Sequence, residues 1–142
     1  MRLYIGYKYS NVHDKDRLIS ELGEFSKGLE KTGNTTFILG RDIQKWSGSL
    51  PLYKTFFPIV YNMLNSNYFV SFETENVASR GLAFEKHLAT LLGKPRIYAI
   101  KRADGPLSQS NLIDIRSNTL NSKRIYFEDT QDAVDKIVGN LA

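Results

Sequence analysis

Short apolar runs of strand length alternate with longer segments of helical periodicity along the whole chain, and few architectures satisfy that alternation. Leu3-Tyr4-Ile5-Gly6-Tyr7 reads as a first strand. From Asp14 to Lys31, Leu18, Ile19, Leu22, Phe25 and Leu29 form one helical stripe with charges opposite. Gly33-Asn34 ends it, and Thr35 to Leu39 is the second strand. Gly40-Arg41-Asp42 leaves that strand, and a helix spans Pro51 to Asn65, interrupted at Pro58. Tyr68 to Phe72 is the third strand, a polar loop Glu73-Thr74-Glu75-Asn76 follows, and a helix runs from near Ser79 to Leu92. Gly93-Lys94-Pro95 stops that helix before a fourth strand, Arg96 to Lys101. The stretch from Ala103 to Ser122 is polar and irregular, with a short helix near Gln109 to Ile115. Arg124 to Phe127 is the fifth strand, and Asp129 or Thr130 caps a last helix through Leu141.

Strands separated by helices cannot pair as hairpins, so the expected class is α/β: a doubly wound, mostly parallel five-stranded sheet with helices on both faces, of the flavodoxin or Rossmann kind. With 142 residues and no linker, repeat or low-complexity tract, residues 1–142 are expected to form one domain. In such sheets ligands sit beyond the carboxyl ends of the strands, near a topological switch point. The loops after strands one, two and three then share one edge.

Composition narrows the chemistry. The chain has no cysteine, which removes disulfides, thiolate catalysis and cysteine metal sites, and fits a reducing compartment. His13 and His87 show no ligand spacing, so neither a metal nor a cofactor is expected. No apolar run is long enough for a bilayer, and the first strand begins at once with no signal peptide, so a cytoplasmic location is expected. The net charge of +4 is spread rather than blocked, which argues against nucleic acid and suits an anionic small molecule.

The segment Ser79-Arg80-Gly81-Leu82-Ala83-Phe84-Glu85 opens the helix after strand three. At about 100° per residue, Gly81, Glu85, Leu88, Ala89 and Leu92 share one side, so Glu85 points toward the body of the domain. A carboxylate there is costly unless it is paired or used. Ser79 at the helix start, with backbone N–H groups and the dipole, favours an anion, and Gly81 allows a sugar or phosphate to approach. Lys8 and Arg80 could add positive charge. Trp46, Tyr7, Tyr9 and Phe56 could stack on a flat base. A carboxylate one or two turns into such a helix could attack an anomeric carbon or stabilise an oxocarbenium ion. Each residue also has a purely structural reading: Ser79 as a cap, Gly81 for helix–sheet packing, Glu85 paired with Arg80 or Lys86, Trp46 and Phe56 as core or rim.

Ser-x-Gly-x-x-x-Glu after a hydrophobic strand resembles the signature of the nucleoside 2-deoxyribosyltransferase-like superfamily, which includes the 2'-deoxynucleoside 5'-monophosphate N-glycosidases. The similarity runs over most of residues 2 to 101, taking in the strand ending at Gly6, the strand Tyr68 to Phe72 and Leu91-Leu92-Gly93-Lys94-Pro95. The resemblance implies cleavage of the base–sugar bond of a small nucleotide or nucleoside, with Glu85 as nucleophile. It implies that Ser79 holds a 5'-phosphate and that Gly81 gives access to the sugar; Gly6, Tyr7, Lys8 and Asp42 are expected to bind substrate from the loops that share this edge, although Tyr7-Lys8-Tyr9 stands where members have a small, glycine-bearing turn. It also implies a homo-oligomer, in which Ser108, Ser110 and Asn111 could reach a neighbour's pocket. Members carry an Asp on the helix before strand three. The matching stretch Ile59-Val60-Tyr61-Asn62-Met63 has none, which leaves Asp42, Glu73 or Glu75 to substitute.

Tyr4-Ile5-Gly6-Tyr7, Asp14-Lys15-Asp16, Arg41-Asp42, and Ser79 with Glu85 six residues on are also similar to Toll/interleukin-1-receptor domains, whose enzymatic members cleave NAD with a glutamate. A third alternative on the same fold is a non-catalytic nucleotide-binding or interaction module.

Overall fold

The computed structural model describes residues 1–46, 52–102 and 121–141. Five strands, β1 (Arg2–Tyr7), β2 (Thr35–Ile38), β3 (Tyr68–Glu73), β4 (Arg96–Lys101) and β5 (Ser122–Phe127), form one sheet in the order β2-β1-β3-β4-β5, every pair parallel. The helices are α1 (Lys15–Lys31), a short α2 (Leu39–Asp42), α3 (Leu52–Leu64), α4 (Arg80–Leu91) and α5 (Thr130–Asn140). The expected doubly wound α/β class is the observed one.

Alternation along the strands splits the core into two layers. Leu3 and Ile5 of β1, Val70 and Phe72 of β3, and Ile97 and Ala99 of β4 pack with Leu18, Leu22, Phe25 and Leu29 of α1 and with Ala133, Val134 and Ile137 of α5. The opposite pleat presents Tyr4, Phe37, Phe69 and Tyr98 to Ile59 and Met63 of α3 and to Leu82 and Ala89 of α4. Phe72 ties the first layer together, its ring 4.5 Å from Phe25 and 5.2 Å from Phe127. Burying each such side chain stabilises the fold by roughly 1.5–3 kcal/mol.

The helix starts are capped where the sequence supplies short polar side chains. Asp14 accepts from the Arg17 amide, Ser79 from the Leu82 amide and Asp129 from the Asp132 amide. Gly93, with φ 67°, takes the left-handed residue after α4.

Several details differ from the sequence reading, among them the start of β5, at Ser122 rather than Arg124. The second strand stops at Ile38, because Asp42 reaches back to accept from the Ile38 amide at 2.9 Å and winds Leu39 into a helical turn. Helix α3 runs through Pro58 without interruption. Glu73 belongs to β3 rather than to the loop: it pairs in register with Ile100, and its buried carboxylate meets Lys8 at 3.4 Å, Lys86 at 3.3 Å and the Ser71 hydroxyl at 2.8 Å. The helix expected near 109–115 lies outside the described residues.

Candidate active site

The strand order reverses between β1 and β3, and a cavity of about 300 Å³ opens at the carboxyl edge there. Tyr7, Tyr9 and Ser10 enter it from the end of β1, Leu39, Gln44 and Trp46 from the segment after β2, and Ser79, Gly81 and Glu85 from the start of α4. Three separate stretches of sequence thus meet in one hollow of a size that suits a small molecule.

Glu85 is the one carboxylate among the described residues of this lining, and it is 7% exposed. Burial raises its pKa from 4.5 to about 7, and the Tyr4 hydroxyl offsets part of that rise. The contact with Tyr4 is close enough for each group to shift the other, yet it is not a well-formed hydrogen bond. Tyr4 Oη and Glu85 Oε2 are both buried without a hydrogen-bond partner. An incompletely bonded carboxylate facing a cavity is poised to accept a bond from, or form one to, whatever enters. Near neutral pH it is present both as carboxylate and as acid.

The wall opposite is aromatic. Tyr7 stands edge-on to Tyr9 at 6.4 Å and to Trp46 at 5.9 Å between ring centres. Burial, and after it the charge of Glu85, pushes the Tyr7 phenol well above its ordinary pKa, so it stays neutral. Lys45 and Trp46 both adopt left-handed backbone conformations, φ 53° and 58°, at a cost of order 1 kcal/mol each. The Trp46 amide donating to Gly40 O at 2.8 Å and the Gln44 amide donating to Leu39 O at 3.0 Å hold that turn. Gly40 is required beneath it: a Cβ there would lie 2.3 Å from the Trp46 ring and 2.3 Å from the Tyr7 oxygen.

Ser79 both caps α4, its hydroxyl accepting from Leu82 N–H at 3.2 Å, and lines the cavity. That leaves the amides of Arg80 and Gly81 at the head of the helix without an intrahelical acceptor, as at any helix start. A Cβ on Gly81 would meet nothing within 4 Å, so the packing reading of this glycine is excluded.

Of the residues singled out in the sequence, Tyr7, Ser79, Gly81 and Glu85 are brought together, with Tyr9 and Trp46 among the aromatics. Lys8, Gly6 and Asp42 are not in the lining. Lys8 is buried against Glu73, and Asp42 is held by Arg41 at 2.9 Å and by the Ile38 amide. Gly6 serves packing, since a Cβ would come within 2.7 Å of Phe69 and 2.9 Å of Leu82. Phe56 lies outside the cavity, its ring against Phe57 and Phe84. Neither substitute carboxylate lines it either: Glu73 is locked to two lysines, and Glu75 accepts from the His13 ring at 2.8 Å. Ser108, Ser110 and Asn111 lie outside the described residues.

Ser10, Leu39, Gln44, Gly40 and Tyr4 were not singled out for the site. Tyr4 carried a usable signal: a phenol in a strand buried on both faces needs somewhere to put its hydroxyl. Among the described residues no group of three His, Asp or Glu side chains is placed to hold a metal ion. No described helix is long and apolar enough to cross a membrane.

No protein-family model matches the chain, and no curated protein matches its sequence. Solved structures do match. The CMP N-glycosidase BcmB of Clostridium botulinum superposes with a TM-score of 0.67 at 14% identity, over 99% of this chain and 100% of the other. A 2-deoxyribosyltransferase of Bacillus psychrosaccharolyticus gives 0.60 at 17% identity, over 100% and 93%. A conserved protein of Enterococcus faecalis gives 0.61 at 16%, over 99% and 98%. At these identities the likeness is one of fold, and it is the fold that the Ser79–Glu85 signature led one to expect.

Proposed function

We propose that this protein cleaves the N-glycosidic bond of a small nucleotide or nucleoside, with Glu85 as the nucleophile. The observation that carries the reading is a single buried carboxylate, its pKa near 7, opening on a cavity with an aromatic wall and a helix start on its rim. The structural neighbours named above as an N-glycosidase and a deoxyribosyltransferase support the same class.

In this reading the base lies against Tyr7, Tyr9 and Trp46, and the sugar sits over Gly81. The Ser79 end of α4 faces the 5' group, where helix-head amides favour negative charge. Ionised Glu85 attacks the anomeric carbon as the carbon–nitrogen bond breaks. The bonding electrons leave with the base, which takes a proton from solvent. Water then cleaves the glycosyl ester, releasing the sugar with retained configuration, or a second base captures it. The Tyr4 hydroxyl, beneath the carboxylate, helps keep it in the ionised form.

The test is base release, followed chromatographically, from a panel of deoxynucleotides, ribonucleotides, free nucleosides and NAD. At least one arm turns over, and Glu85→Ala and Glu85→Gln abolish that turnover. Undiminished base release by Glu85→Ala removes the mechanism. Thermal stabilisation by a nucleotide with no turnover in any arm replaces it with a binding module. Turnover of NAD alone moves the substrate to that of the second resemblance.

A further inference from the structure

The stretch between β1 and α1 is stitched to the stretch that leads from β3 into α4. Lys8, just past β1, meets the Glu73 carboxylate at 3.4 Å. The Asn11 side-chain amide donates to Ala78 O at 2.8 Å. Glu75 makes the third tie and the most extensive. Its two oxygens accept from the His13 amide at 3.1 and 3.2 Å; one also accepts from the Asp14 amide at 3.4 Å, and the His13 ring nitrogen Nδ1 lies 2.8 Å from the other. The hydrogen-bonded partners stand 61 to 67 positions apart in sequence.

Two residues of the cavity lining sit inside this stitching. Tyr9 and Ser10 lie between the Lys8 tie and the Asn11 tie, and Ser79 follows directly on Ala78. The Val12 amide donates to Tyr9 O at 3.1 Å, and the Lys15 ammonium bonds Val12 O at 3.2 Å while lying 5.6 Å from the Tyr9 ring. A shift of residues 11–14 is therefore passed to Tyr9. From Tyr9 the wall continues edge to edge through Tyr7 to Trp46.

Capping of α1 does not call for Glu75. That helix has its own cap, the Asp14 side chain accepting from the Arg17 amide at 3.0 Å. Bonding to His13 holds the Glu75 carboxyl below its ordinary range, so it is ionised at neutral pH. A lone exposed ion pair contributes little. A carboxylate that collects two backbone amides and a ring fixes direction as well as distance.

We infer that Glu75 is a positioning residue for the cavity: it holds the stretch before α1 against the stretch before α4 and so sets where Tyr9 and Ser10 stand relative to Ser79. Glu75 itself lies outside the lining. Its effect on a substrate rests on the reaction proposed above, in which Tyr9 belongs to the wall that takes the base. Such a contact is made alike in the ground and transition states, so displacing it raises KM and spares kcat.

Acrylamide quenching of Trp46, the sole tryptophan and part of the cavity wall, tests this on the intact chain with no nucleotide present. Releasing the tie loosens the lip of the cavity, so Glu75→Ala raises the quenching constant about twofold. Glu75→Gln, which keeps an oxygen for the His13 amide, falls between Glu75→Ala and the wild type. Asn11→Ala, which removes the bond to Ala78 alone, moves the constant in the same direction and serves should Glu75→Ala fail to fold. Asp14→Ala is the control: it strips the α1 cap and leaves the constant unchanged. In base release, KM for each panel nucleotide that turns over rises about tenfold in Glu75→Ala while kcat stays within about twofold. A quenching constant unchanged in Glu75→Ala overturns the inference, as does an equal rise in Asp14→Ala or a loss confined to kcat. Quenching needs no turnover, so a protein that releases no base still decides this inference, and a failed quenching test leaves the proposed reaction standing.

Discussion

Replacing Glu85 with glutamine should stabilise the protein, and should do so only at high enough pH. In the native state burial raises the Glu85 pKa from 4.5 to about 7, whereas in the unfolded chain the carboxyl returns to its ordinary value. Between those two pH values the native protein holds a proton that the unfolded chain has released. Unfolding therefore releases protons, and native stability falls as pH rises through this window. Below the lower value both states are protonated and there is no penalty; above about pH 7 both are ionised and the penalty is complete. A displacement of that size is worth about 3 kcal/mol. Glutamine cannot ionise, so Glu85→Gln escapes the penalty.

Its stability relative to wild type is therefore expected to rise by about 3 kcal/mol between pH 4.5 and pH 8, on top of any constant offset from burying an amide. With a urea slope of about 2 kcal/mol per molar, the difference in midpoint grows by roughly 1.5 M. The assay is a series of urea titrations of both proteins at half-unit pH steps. Other titrating groups cancel in the difference. A difference flat from pH 4.5 to 8 would mean that Glu85 ionises as a solvated side chain does, and the desolvated site would go with it. In wild type the same ionisation should make kcat/KM rise with pH toward a plateau above pH 7, because the nucleophile is the carboxylate.

Tyr4→Phe removes the hydroxyl that holds the Glu85 pKa down, so the rising limb of the pH–rate profile moves to higher pH while stability changes by less than about 1 kcal/mol, read from the profile and a thermal melt. Gly81→Ala adds a methyl into open space near the start of α4. It should leave the protein as stable or up to about 1 kcal/mol more so, yet weaken nucleotide binding, read from quenching of the sole tryptophan, Trp46, which lines the cavity. Glu73→Ala leaves buried Lys8 and half-buried Lys86 around the lost carboxylate and should cost about 3–5 kcal/mol in urea unfolding; a cost under about 1 kcal/mol would show that the lysines simply reach solvent.

The fold was legible because its signals are local and redundant. The stripe from Leu18 to Leu29, the breaks at Gly33 and Gly93 and the short apolar runs each report a period or a turn that neighbouring residues impose on one another. Glu85 was legible for a similar reason, since helical geometry alone aims it inward. Glu73 and Asp42 were misread because side-chain contacts that periodicity does not report hold them. Glu73 reads as a loop residue until Lys86, thirteen positions on, is seen to neutralise it, and Asp42 reads as a site residue until Arg41 and the Ile38 amide are seen to occupy it.

Sequence periodicity determined which side chains face inward and at which edge the strands end, because both are set within a few residues of backbone. Only the tertiary structure decided that Tyr4 lies under Glu85, that Gly40 lets Trp46 and Tyr7 close the wall, and that Lys8 turns away. A carboxylate's ionisation depends on the water and charge around it, and that environment is assembled from strands tens of residues apart.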